Sequence, residues 1–107
     1  MAERAPQAAR NEDFFRESNE LLLEESEGRI GQPDFLCECS RPGCLARVEI
    51  PPDEYENVRA HGDRFILSPG HEDLSVEVIV EATENYVVVE KIGAAGDEAE
   101  RLDPRRD

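Results

Sequence analysis

Three cysteines, Cys37, Cys39 and Cys44, all lie within the stretch Phe35–Cys44, which reads F-L-C-E-C-S-R-P-G-C. Thiolate sulfur is a preferred ligand for zinc, and structural zinc sites are four-coordinate, built from cysteine and histidine. Cys37 and Cys39 sit at alternate positions of a strand, so their side chains share a face. Cys44 returns from across the turn Ser40-Arg41-Pro42-Gly43, where Pro and Gly suit a tight reversal. Three sulfurs thus converge without recruiting a distant segment. A fourth donor must come from elsewhere.

The chain has two histidines. His71 follows Pro69-Gly70, a turn able to aim its ring inward. His61 ends a helix just before Gly62, where an imidazolium has the ordinary task of offsetting the negative end of the dipole. The expected set is Cys37, Cys39, Cys44 and His71 around a structural zinc ion, a zinc-ribbon-like site. Glu38, Asp73 or a water are the other candidates for the fourth place. Glu72 is a candidate acceptor for the imidazole N–H.

Other chemistries fit less well. Two-iron clusters held by three cysteines and one histidine also begin with C-x-C, but here Cys44 comes too early and His71 too late. Redox sensing needs an accessible, low-pKa thiolate and a resolving partner. Arg41 and Arg47 stand near enough to favour a thiolate, and Cys44 could pair with either of the other two. A site that ejects zinc on oxidation, and so controls a transcription factor, is the alternative function. The sequence is not read as an enzyme. It has no phosphate-cradling glycine motif and no serine elbow. Asp53, Glu54 and Glu56 read as a solvated helix face.

The elements that must position these residues follow from periodicity. Residues 1–10 read as a flexible lead-in. Asn11 could cap a helix in which Phe14, Phe15, Ser18, Leu21 and Leu22 recur at helical spacing, giving an apolar stripe for the core or for a partner. Gly28 and Gly31 mark its stop. Phe35–Cys39 and Cys44–Ile50 form a hairpin. Pro51-Pro52 ends it and starts a helix over 52–61, with Tyr55 and Val58 facing inward and Gly62 as its cap. Arg64–Ser68 is a strand, with Phe65 and Leu67 on one face and Ile66 on the other. Val76–Thr83 alternates, with Val76, Val78, Val80 and Ala82 on one face and Glu77 and Glu81 on the other; Tyr86–Ile92 is a strand joined to it at Glu84-Asn85. Residues 94–107 read as a disordered tail. The expected fold is α+β: an N-terminal helix, a cysteine hairpin, a short helix and a small antiparallel sheet. It forms a single domain over 11–92, between flexible ends at 1–10 and 93–107.

With 107 residues the core is small, and small scaffolds often need a staple. Lys+Arg total 12 against 26 Asp+Glu, a formal charge of −14. Such a surface repels phosphate backbones and anionic membranes, so direct nucleic-acid binding is not expected and a protein partner with a basic surface is. No apolar run approaches the ~20 residues of a membrane span. Met1-Ala-Glu-Arg lacks the apolar core of a signal peptide. The expected compartment is the cytoplasm, where thiols stay reduced.

The set F-x-C-E-C at Phe35–Cys39, Cys44, D-E-Y-E-x-V-R at Asp53–Arg59, R-F at Arg64–Phe65, P-G-H-E at Pro69–Glu72 and V-V-E-K at Val88–Lys91 resembles a family of small bacterial proteins. That family is frequent in high-GC soil lineages and has no established activity. The resemblance spans about residues 10–92 and implies counterparts for Cys37, Cys39, Cys44 and His71. The chain departs from it at Pro51, where the resemblance implies a threonine-type helix cap.

Overall fold

Eight segments take regular structure in a computed structural model that describes residues 6–26, 34–41 and 43–105. In chain order they are α1 (Pro6–Ser26), β1 (Asp34–Leu36), β2 (Arg47–Glu49), α2 (Pro52–Arg59), β3 (Arg64–Leu67), β4 (Glu77–Ala82), β5 (Val87–Lys91) and α3 (Gly93–Arg101). The class is α+β, as the pattern predicts. β1 and β2 pair antiparallel, with Phe35 opposite Val48. The other sheet has the order β3-β5-β4, antiparallel throughout. No described helix is long and apolar enough to cross a membrane.

The second helix starts where the prolines put it. Pro51 is extended and caps α2 without a side-chain hydrogen bond, while its carbonyl accepts from Tyr55 N–H at 3.0 Å. Asp53 and Glu54 occupy the first turn and Arg59 the last, matching the helix dipole. The apolar centre joins Phe35, Val48 and Ile50 to Tyr55, Phe65, Ile66, Leu67 and Val89, all buried. Phe35 and Tyr55 pack with ring centroids 4.7 Å apart. Each such side chain contributes about 1.5–3 kcal/mol on burial. Phe65, Ile66 and Leu67 are all buried, so both faces of β3 are covered.

Four expectations are corrected. First, α1 begins at Pro6, ahead of Asn11, and is rotated, so that of the expected stripe Leu22 packs against the core and Phe15 and Ser18 are half-buried. Its buried side is Glu12, Arg16, Asn19 and Leu23, while Phe14 and Leu21 point outward. Those four positions do follow helical spacing, but three are polar, so a search for apolar periodicity misses them. Each has a dedicated partner. Lys91 Nζ donates to Glu12 at 2.6 Å and also to Glu77. Arg16 donates to the carbonyls of Gly62 and Ala99 at 2.8 and 2.9 Å and lies 4.7 Å from the Phe65 ring centroid. The expected stop at Gly28 and Gly31 lies outside the described residues.

Second, β4 buries Glu77 and exposes Val78 and Val80. Glu77 lies opposite Lys91, whose ammonium draws it in, and a register shift between Ile79 and Glu81 ends the simple alternation. Third, the segment read as a disordered tail forms α3, with Ala95, Gly96 and Ala99 buried. Small side chains carry little hydropathy signal yet allow close packing. Fourth, α2 ends in an αR cap at Ala60, so Gly62 does not cap it.

Beyond α3, the chain is tied back by charge. Arg59, fully buried in its side chain, donates to Glu20 at 2.6 Å and to Asp103. Arg105 donates to Glu20 at 2.7 and 2.9 Å and also to Glu56. Burial raises the Glu20 carboxyl, but hydrogen bonds from Arg105 and Arg59 outweigh it and hold the group below its usual value. Asp103 is held down likewise, by Arg105 N–H and Arg59 against burial. A lowered folded pKa gives stability that is present above the unfolded carboxylate value and lost as pH falls through the folded one. Arg59→Leu should therefore cost about 3 kcal/mol at neutral pH. The gap from the parent protein, read by urea titration, should close as pH drops through the carboxylate range. A gap constant with pH would show that packing, not charge, holds Arg59.

Candidate metal centre

Cys37, Cys39, Cys44 and His71 come together although no regular element contains any of them. Cys37 continues the β1–β2 ladder by one step, its N–H donating to Ala46 O at 3.1 Å. Extended backbone through 37–39 then sends the two cysteines to one side and Glu38 to the other. Cys44 and His71 are each delivered by the glycine before it. Gly43 has φ 73° and Gly70 φ 93°, conformations that side-chain-bearing residues rarely adopt. Gly43 lies in the turn closed by Cys44 N–H on Arg41 O at 3.3 Å, and Gly70 in the one closed by His71 N–H on Ser68 O at 3.1 Å. Pro42, in the first turn, lies outside the described residues. Arg41 donates to Gly70 O at 3.2 Å and joins the two loops.

One ligand atom from each of the four residues lies within 4.8 Å of all the others. His71 Nδ1 is 3.6 Å from both Cys37 Sγ and Cys44 Sγ. Cys37 and Cys39 are buried; Cys44 and His71 are half-buried. This cluster could hold a metal ion. His61, the other histidine, is exposed and not part of it. Asp73 and Glu38 are outside it too. Glu72 accepts from Gly70 N–H at 3.1 Å, supporting the turn rather than the imidazole.

Hydrogen bonding within the thiol group separates the two buried sulfurs. Cys39 is held well below the usual thiol value, chiefly by its hydrogen bond with Cys37 and further by His71, against its burial. Cys37 is pushed up, first by that same bond and then by burial, although Ser68 N–H donates to its sulfur at 3.2 Å. Thiols bind a metal as thiolates, so a cation taken up by this cluster would displace their protons.

Glu38, named from the sequence only as an alternative fourth donor, has a different role that the sequence did not reveal. It is fully buried on the side away from the sulfurs. Its backbone N–H donates to Ile66 O at 2.8 Å, and its Oε1 accepts from Ile66 N–H at 3.0 Å. Its Oε2 accepts from Asn19 Nδ2 at 2.8 Å and from the Tyr55 hydroxyl. Asn19 also brackets Leu36, accepting from its N–H at 2.7 Å and donating to its O at 2.8 Å. Burial pushes the Glu38 carboxyl up, against the pull of Asn19, Tyr55 and Ile66 N–H. Burial likewise pushes the Tyr55 hydroxyl well above its usual value. A strand glutamate flanked by cysteines carries no periodicity that marks it as core.

No protein-family model, no curated protein and no solved structure matches the chain.

All three groups facing the Glu38 carboxylate donate. In Glu38→Gln an amide NH₂ would face at least one of them and leave a buried donor unsatisfied. The substitution should cost about 1–3 kcal/mol in urea unfolding. An unchanged midpoint would mean that the carboxylate organises nothing.

Proposed function

We propose that the chain is a small cytoplasmic accessory domain, stabilised by zinc and acting by binding another protein. The observation that carries the metal reading is the pair of 3.6 Å separations from His71 Nδ1 to Cys37 Sγ and Cys44 Sγ. A tetrahedral ion with Zn–S of about 2.3 Å and Zn–N of 2.0–2.1 Å sets sulfur and nitrogen about 3.6 Å apart. Soft thiolates with imidazole favour zinc over hard-cation alternatives.

Three sulfurs and one imidazole complete a four-coordinate shell, which suits a structural role better than a catalytic one. Such an ion would clamp the 37–44 hairpin to the 69–71 turn. Zinc binding in small domains supplies about 10–16 kcal/mol of apparent free energy at neutral pH, and that becomes folding free energy. The strong negative charge supports a partner with a basic surface and argues against direct contact with nucleic acid.

Elemental analysis of purified protein should give one zinc per chain, and removal by a chelator should collapse the near-UV circular dichroism. Metal-free protein with the same spectrum and stability would end the structural reading. His71→Ala should weaken zinc binding by at least about tenfold, while His61→Ala leaves it unchanged. Equal affinities in the two variants would remove His71 from the site. A second reading, a thiol sensor that releases zinc, draws on the half-buried position of Cys44. Rapid loss of free thiols and zinc in mild peroxide would favour it, and inert thiols the structural role.

A further inference from the structure

The outer side of α1 is not used by the metal cluster. Phe14 is 64% exposed and Leu21 60%. They lie seven residues apart, two helical turns, and so share one stripe about 10 Å long. Glu17 and Glu24 are exposed on that same stripe, at the third and tenth positions after Phe14. Phe15 packs edge-on against Phe14, with centroids 5.7 Å apart at 63°.

The opposite side of the helix explains why this arrangement is unusual. Glu12, Arg16 and Asn19 face inward, and α1 is held by hydrogen bonds and ion pairs rather than by its aromatic residues. A surface helix normally turns its apolar stripe to the core. Here Phe14 and Leu21 face water, spaced as the anchors of a helix that lies in a groove. Carboxylates crowd between them. The Glu17 carboxyl is raised chiefly by its hydrogen bond with Asp13.

We infer that the Phe14–Glu17–Leu21–Glu24 stripe is the docking surface for a protein whose apolar strip is flanked by lysine or arginine. The inference rests on the reading of the chain as a protein-binding domain and is independent of the metal. A second copy of the chain is a poor occupant, because at −14 it would bring carboxylates against carboxylates.

The test uses the full chain and a fluorescent helical peptide of leucine and lysine that presents an apolar strip with a basic rim. Binding is read by anisotropy at two salt concentrations. Phe14→Ser/Leu21→Ser should weaken binding more than about tenfold, since two anchors lose their burial. Glu17→Gln/Glu24→Gln should weaken it severalfold and flatten its salt dependence. Val78→Ser/Val80→Ser, on the exposed β4 strand, should leave it unchanged. The near-UV spectrum and urea midpoint of each variant report on folding.

Binding that survives Phe14→Ser/Leu21→Ser but is lost in Val78→Ser/Val80→Ser overturns the stripe and leaves the protein-binding reading standing. Binding that is equal in all variants and suppressed by salt is diffuse charge attraction, and overturns both. Self-association of the free chain that disappears in Phe14→Ser/Leu21→Ser makes a second copy the occupant, and overturns the basic partner.

Discussion

The buried Glu38 carboxylate is the constraint on which the other parts depend. Four separate stretches of chain meet at this residue: its own strand extension, Asn19 from α1, Tyr55 from α2 and the backbone of Ile66 in β3. Taking a carboxylate out of water costs several kcal/mol unless donors replace the lost hydration. Three donors do so in part here, and burial still outweighs their pull. Because Glu38 points inward, the alternation of an extended chain obliges Cys37 and Cys39 to point the other way. The polar anchor and the sulfur cluster are two sides of one strand.

The same economy recurs around the molecule. Lys91 is held between Glu12 and Glu77, and Arg59 between Glu20 and Asp103. A chain with 26 acidic and 12 basic residues has few cations to spare, and it spends several of them inside. Ion pairs of this kind rarely exceed well-packed hydrophobic residues in stability, but breaking one is costly. Their geometry therefore selects one arrangement of α1, α2 and the segment after α3. Not every donor is served: Arg16 Nε and Arg59 Nη1 have no hydrogen-bond partner among the described residues.

The sulfur cluster and the core are built by different means. Apolar strands close the interior around Phe35, Phe65 and Val89. The cluster stands on turns, and two glycines with positive φ each deliver the donor that follows. That division lets the donors converge without distorting the strands. It also leaves Cys44 and His71 half-buried, on the solvent side of the site.

Much of this was legible in the residues. Cysteine spacing marked the hairpin, and the Pro69-Gly70 turn singled out His71 over His61. Proline, β-branched runs and alternation located α2, β3 and β5. These signals are local: each depends on a few neighbouring residues and on backbone stereochemistry. What only the tertiary structure decided was which side of each element faces in. Hydropathy misjudged the rotation of α1 and turned β4 the wrong way, because a buried glutamate is stable only when a particular lysine or amide waits for it. Those partners are far away in the chain, Lys91 for Glu12 and Asn19 for Glu38, and no local pattern encodes them. The helix α3 escaped for a related reason. Alanine and glycine show no hydropathy stripe, and their value appears only when another surface comes close enough to need small side chains.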